Sequence, residues 1–399
     1  MMKSSNCWYF SNKDKLLPGE PKSATITVKS SKSFKCFDKL NNYSVIQKGQ
    51  FWVLQNYVRA NQWYSCDESV TLTTIGDPSL LENLKTLVEH WNGPVSVALY
   101  TPGTDMELAL RLIKYLRMCY PLLITEYVSF HFFFESDHIP QNISLAESAQ
   151  SINSESYPCT SSPWPSADNK QLYRTQKGLK FPINVGRNIA RDAATTHFIL
   201  ASDIELYPSR NVISNFLNMI QQNPQHLQTT TPSVFVLPPF EVEERALVPS
   251  TKQNLLTMIA NGSASTFHKY YCPSCHTVPG YQIWLEANET AGLHVIHTSK
   301  RKGPWKPFYI STNQVPYFDE RVDWEGRCNK MVQAYSMCVL DYDYHILDNA
   351  FLVHKPGIKR RGKMDILRDQ FAKRTFQLIR VQGWKIFLDS SSMSDVLKN

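Results

Sequence analysis

From residue 69 onward the apolar positions fall into two alternating rhythms. "SVTLTTIG" (69–76) reads as a strand, and "SLLENLKTLVEHW" (79–91) repeats apolar residues at helical spacing. "GPVSVALYTPG" (93–103) predicts a strand bracketed by turn residues. "TDMELALRLIKYLRMCY" (104–120) predicts a second helix, with Thr104 or Asp105 suited to cap it, and "ITEYVSFHFFFE" (124–135) a third strand. Strand, helix, strand, helix, strand is the pattern of a parallel sheet with helices packed on it, an α/β fold. A Ser/Pro/Asn-rich stretch over 140–170 reads as an inserted loop. The pattern resumes with a helix over "INVGRNIARDAATT" (183–196), a strand at Phe198–Ala201, a helix over "NVISNFLNMIQQN" (211–223) and a strand over "SVFVLPPFEV" (233–242). Residues 260–310 are loop-rich. The chain thus divides into a polar N-terminal stem or extension (1–67), holding an edge-strand-like "KSATITVKSSKSF" (22–34), one large domain (68–363), and a basic helical tail (364–399). No internal repeat is visible.

The strand Phe198–Ala201 runs straight into Asp203 and Glu205. In an open parallel sheet, ligands bind beyond the carboxyl ends of the strands. Residues i and i+2 of an extended segment point to one side, so both carboxylates can face one ligand. Two hard oxygen donors in that position suit Mn²⁺ or Mg²⁺. The D-x-D pair of nucleotide-sugar glycosyltransferases works in this way, holding through a metal the diphosphate that departs. A turn cap plus a solvated charge is the other reading, since D-x-E occurs in most proteins. Just upstream, Arg187 and Arg191 stand four apart on one predicted helical face. An arginine there can grip a diphosphate or a sugar carboxylate through two parallel bonds, and Asn188 can hydrogen-bond a ribose or a sugar. A surface ion pair is the alternative for Arg191.

Composition changes this picture in three places. A net charge of +7 without a Lys/Arg run or an RNA-binding motif excludes a nucleic-acid partner and suits an anionic small molecule. No window reaches about 18 consecutive apolar residues, and the opening "MMKSSNCWYF" lacks the apolar region of a signal peptide. Taken alone, that predicts a soluble cytosolic chain. Nine cysteines fit either a reducing compartment or a few disulfides with one free thiol. Sequons at Asn42, Asn142, Asn261 and Asn288 permit a secretory location. In "HKYYCPSCH", Cys272 and Cys275 with His268 and His276 have the spacing of a zinc site. Trp284 and Trp305 can serve either as sugar-stacking platforms or as core.

Read in order, "LTTIGDPSLLENLKTLVEHWNGPVSVALY", "NVGRNIARDAATTHFILASDIELYPS", "CPSCH", "WKPFYI", "VPYFDERVDWEGRCNKMVQAY" and "LDNAFLVHKPGIK" resemble glycosyltransferase family 49, from about Val70 to Lys363. This is the beta-1,4-glucuronyltransferase family, which includes the second catalytic domain of the LARGE-type bifunctional enzymes. The resemblance implies a GT-A type fold, a Rossmann-like mixed sheet flanked by helices. It implies Mn²⁺ (or Mg²⁺), a UDP-sugar donor, UDP-glucuronate first, a glycan or glycoprotein acceptor, and inversion at the anomeric carbon. It also implies a Golgi lumenal enzyme with a membrane anchor, which this chain does not display. The family's acidic motif falls on Asp203 and Glu205, with Glu where its members carry Asp, and its metal histidine falls on His354. In "LVHKPGIK" an additional Pro356 shifts Gly357 and Lys359, which would meet the diphosphate. The FDER-like motif falls on Asp319 and Glu320, candidates for the base that takes the acceptor's proton; a salt bridge to Arg321 is the alternative for one of them. The resemblance favours a disulfide or loop clamp over zinc at Cys272 and Cys275. UDP-N-acetylglucosamine is the alternative donor, a non-catalytic glycan-binding member the alternative class, and a zinc adaptor the third option.

Overall fold

The computed structural model describes residues 34–141, 159–160, 163–164, 171–227, 231–288, 292–325, 329–360 and 362. The edge-strand-like segment at 22–33, most of the inserted loop and the C-terminal tail lie outside the described residues. With strands numbered in chain order, β3 (Val70–Gly76) and β4 (Val95–Tyr100) are buried at every position. Such runs belong in the middle of a sheet covered on both faces. Helix Ile183–Ala193 packs on β3 and β4. Gly186 permits the approach: a methyl there would lie 2.9 Å from Phe133 Cζ and 2.7 Å from Ile75 Cγ1.

The main sheet has ten strands, in the order β1 (Ser44–Lys48), β2 (Phe51–Val58), β5 (Val128–Glu135), β4, β3, β6 (Phe198–Ala201), β12 (Phe308–Thr312), β8 (Ser233–Leu237), β13 (Asp343–Asp348), β11 (His294–Ser299). Strands β5, β4, β3 and β6 run parallel. Strand β12 is inserted antiparallel between β6 and β8, which makes the sheet mixed. A second sheet has the order β10 (Ala264–Thr266), β9 (Pro239–Val242), β14 (Leu352–His354), β7 (Leu206–Pro208). Among the described residues, chain segments cross from the first sheet to the second at three places: Ser202–Glu205, between β6 and β7, Pro238, between β8 and β9, and Asn349–Phe351, between β13 and β14.

Several expectations are corrected here. "SVFVLPPFEV" is two strands, not one, because at Pro238, which has no N–H to donate, the chain changes sheet. Residues 44–58, expected in a loose stem, form β1 and β2 and bury Val53, Leu54, Tyr57 and Val58. A disulfide, Cys36–Cys66, ties the segment down further. The helix expected over 79–91 opens as a 3-10 turn at Pro78–Asn83, capped by Asp77, and becomes α-helical at Leu84–Trp91. Helix Asp105–Cys119 forms as expected, but neither proposed cap acts as one. Asp105 instead accepts from the backbone N–H of Tyr173 (2.8 Å) and Arg174 (3.1 Å). Trp284 and Trp305 are both buried in the core, the second of the two readings the sequence allowed.

Candidate active site

Strand β6 is held between β3 and β12, so its carboxyl end is a fixed platform. Beyond it Ile204 is buried, while the flanking Asp203 and Glu205 side chains are 38% and 37% exposed. Both carboxylates are therefore partly exposed beyond the strand end. His354 reaches this place through strand pairing. The β14–β7 ladder sets His354 opposite Leu206, and the N–H of Lys355 donates to the carbonyl of Glu205 at 2.7 Å. The imidazole Nε2 stands 3.8 Å from Glu205 Oε2. Its Nδ1 lies 2.8 Å from the carbonyl of Lys355. A carbonyl can only accept, so Nδ1 carries a proton and Nε2 is the atom presented to Glu205. Phe267 stacks on the ring with centroids 5.3 Å apart. Pairing with His354 holds the Glu205 carboxyl below its ordinary range, against the opposing pull of burial.

Asp203 is turned elsewhere. Arg187 Nη2 donates to Oδ1 at 2.8 Å, and Lys330 Nζ to Oδ2 at 3.2 Å. Burial alone would raise this carboxyl, but the two cations hold it well below the usual carboxylate range. The ligand atoms of Asp203, Glu205 and His354 do not all lie within 4.8 Å of one another. Glu205 and His354 are brought together; Asp203 adjoins them but is neutralised by Arg187 and Lys330. The donor set itself, two carboxylates and an imidazole whose Nδ1 is held by the Lys355 carbonyl, fits a divalent ion such as Mn²⁺.

Cations surround the pair. Lys330 sits 3.6 Å from the centroid of the Phe308 ring. Burial, with Arg187 and Lys306 nearby, pushes its ammonium down to about 7 against the pull of Asp203. Gly357 has φ +135°, a conformation that favours glycine, and its N–H donates to the carbonyl of Val242 at 2.9 Å. The Lys359 N–H lies 3.4 Å from the buried carboxylate of Glu241 on β9, and its ammonium sits over Tyr271. Cys272 and Cys275 form a disulfide, not a zinc site. Burial keeps the neighbouring His268 neutral, its value pushed down to about 3.

Helix Ile183–Ala193 presents a buried polar stripe, Asn184, Arg187, Asn188 and Arg191, at spacings of three and four. This stripe corrects two assignments. The Asn188 amide donates to the Phe318 carbonyl (2.9 Å) and to Glu320 Oε1 (2.8 Å), and its oxygen accepts from the Phe318 N–H. It anchors a loop and has no donor left for a ribose. Arg191 is neither a surface ion pair nor a donor ligand. Fully buried, it donates to Asn313 Oδ1 and to the carbonyls of Asn313, Val315 and Pro316. Asn184 donates to the carbonyls of Asp319 and Asn329 at 2.8 Å each. Only Arg187 of the four reaches the acidic pair.

The two base candidates are likewise separated. Asp319 is 9% exposed and both its oxygens are held by Arg321, at 2.9 and 2.6 Å. Burial pulls its carboxyl up, but Arg321 leaves it below the ordinary range. Glu320 is 34% exposed, and its contacts with Lys48 (2.8 Å) and Asn188 are both made by Oε1. Lys330 was missed in the sequence. It lies inside a motif already singled out, "GRCNKMVQ", and a lysine at the N-terminus of a helix, against the helix dipole, is the signal that marks it.

A family model described as "Glycosyl-transferase for dystroglycan" matches residues 69–385. The chain belongs to this family. It is 28% identical to beta-1,4-glucuronyltransferase 1 of Danio rerio over 83% of this chain and 78% of that protein. The Homo sapiens beta-1,4-glucuronyltransferase 1 is 26% identical over 74% and 69%. The xylosyl- and glucuronyltransferase LARGE2 of Mus musculus is 25% identical over 72% of this chain, which spans 34% of that protein. Among solved structures, S. aureus TarS 1–349 in complex with UDP-GlcNAc aligns with TM-score 0.35 and 13% identity, over 74% of this chain and 60% of that one. As a member of the family the protein is a glycosyltransferase, and the mixed sheet flanked by helices that the motifs implied is present.

Proposed function

We propose that this glycosyltransferase uses a divalent ion, held by Asp203, Glu205 and His354, to transfer glucuronate from UDP-glucuronate to a glycan acceptor with inversion. The observation that carries the reading is the β14–β7 ladder. It brings an imidazole from residue 354 to the side of Glu205, two residues from Asp203. The relatives named as glucuronyltransferases support the choice of donor. When bound, the ion supplies positive charge to the departing diphosphate. The chain's own residues do the rest. Arg187 and Lys359 lend further charge to the diphosphate, and Gly357 lets the backbone come close to it. Glu320 takes the proton from the acceptor hydroxyl as that oxygen attacks the anomeric carbon and the bond to UDP breaks. Among the described residues its hydrogen bond and ion pair are both made by Oε1, whereas both oxygens of Asp319 are held by Arg321.

The disulfides Cys36–Cys66, Cys119–Cys159 and Cys272–Cys275 support placing the enzyme in an oxidising compartment, the Golgi lumen by family resemblance. Among the described residues, no helix is long and apolar enough to cross a membrane.

The test is a donor screen with purified protein, with and without Mn²⁺. UDP-glucuronate turnover is expected only with the metal, and Asp203→Asn or His354→Ala is expected to lower kcat/KM by at least about a hundredfold. Turnover of UDP-N-acetylglucosamine in its place replaces the donor. Binding of glycan with no turnover of any UDP-sugar makes this a non-catalytic member. Full activity in chelator removes the metal from the mechanism.

A further inference from the structure

We propose that Glu241, a fully buried carboxylate of β9, is a positioning residue of the metal centre: from inside the second sheet it fixes the two segments that hold His354 and lends them negative charge. This rests on the metal reading above and names a residue that tunes the ion without touching it. Strand β9 lies between β10 and β14. The parallel β9–β14 ladder pairs Phe240 with Val353, so one residue further on Glu241 comes abreast of His354. Side chains alternate along each strand, and residues abreast on parallel strands share one face.

Both segments that bear on the imidazole turn beside this carboxylate. In the first, the Lys355 carbonyl accepts from His354 Nδ1, Gly357 follows with φ +135°, and the Lys359 N–H lies 3.4 Å from Glu241 Oε2. In the second, the Phe267 ring stacks on His354 while its N–H donates to the Pro239 carbonyl of β9 at 3.1 Å. His268 comes next with φ +61°, a left-handed conformation uncommon outside glycine. Burial raises the Glu241 carboxyl, and the N–H groups of His268, Lys359 and Lys269, with the His354 ring, draw it back down. Its Oε1 is buried with no hydrogen-bond partner among the described residues. A buried carboxylate with an unused oxygen is costly, and a nearby divalent ion offsets that cost through space, more strongly in a protein interior than across water.

The experiment measures Mn²⁺ binding by paramagnetic resonance, with UDP absent and present, for the wild type, Glu241→Gln and Glu241→Asp. The melting temperature of each metal-free protein is recorded beside it. Glu241→Gln keeps the shape and one acceptor oxygen but removes the charge. It is expected to raise the Mn²⁺ Kd about tenfold or more, while the metal-free melting temperature holds or rises because a buried charge is gone. Glu241→Asp, which keeps the charge, is expected to retain most of the affinity. An unchanged Kd in Glu241→Gln overturns the inference and leaves the metal reading standing. A weaker Kd accompanied by a lower metal-free melting temperature, or a Glu241→Gln chain that does not fold, makes the acid a structural residue and overturns the inference as well. A wild type that binds no Mn²⁺ in either condition overturns the metal reading itself, and this inference with it.

Discussion

Arg187 and Arg191 stand four residues apart on one helix, and their surroundings give them different work. Arg187 donates to Asp203, while Arg191 donates only to acceptors of residues 313–316. Replacing Arg191 by Met would leave those buried carbonyls unpaired, at a cost of about 3 kcal/mol. A lower urea midpoint is expected, together with a raised acceptor KM, since the loop it holds runs on to Glu320. An unchanged midpoint would show that water replaces the guanidinium without penalty. Glu320 and Asp319 divide in the same way: adjacent carboxylates, one bonded among the described residues through Oε1 alone and one held through both oxygens by Arg321.

At the scale of elements, the site depends on how closely helix Ile183–Ala193 sits on β3. Gly186 faces Ile75 and Phe133, and no Cβ fits there without a shift. Gly186→Ala gains helix propensity of about 1 kcal/mol but overpacks two buried side chains, a cost of about 1–3 kcal/mol. The net expectation is a modest loss of stability, read as a lower melting temperature, with a larger loss of activity because Arg187 moves with the helix. A variant as active as the wild type would mean that the helix position does not set the site. Strands β14 and β7 matter similarly. They are only three residues each, yet their register decides which residue faces Glu205.

Across the whole molecule, buried histidines make stability depend on pH. Fully enclosed His131 accepts from the Asn56 N–H at 2.8 Å and meets Ser96 Oγ at 2.9 Å. Burial lowers it from an ordinary 6.5 to about 3. The folded state therefore holds it neutral, while the unfolded chain takes up a proton below 6.5. Its contribution is complete above that value and is lost as pH falls from 6.5 toward 3, by up to about 1.4 kcal/mol per pH unit. Burial also lowers His90, His197 and His345, which adds to the slope. Between pH 7 and 5, His131 alone removes about 2 kcal/mol, so the melting temperature is expected to drop by several degrees. A flat profile over that interval would contradict the neutral buried state.

The sequence by itself determined the alternation of strands and helices, the acidic pair at the carboxyl end of a buried strand, and the order of motifs that marks the family. These are local properties: periodicity reports which face of an element is buried, and a strand that ends in Asp-x-Glu does so in any environment. Even so, polar composition hid β1 and β2, and an unbroken apolar run hid the change of sheet at Pro238. The tertiary structure decided what each polar residue is for. A stripe at 184, 187, 188 and 191 is legible as one helical face, but whether it meets loop carbonyls or a ligand depends on residues more than a hundred positions away. His354 beside Glu205, Lys330 on Asp203 and Arg321 on Asp319 are settled by pairing and packing. Hydrogen-bond partners and charge balance belong to space, and spacing along the chain does not encode them.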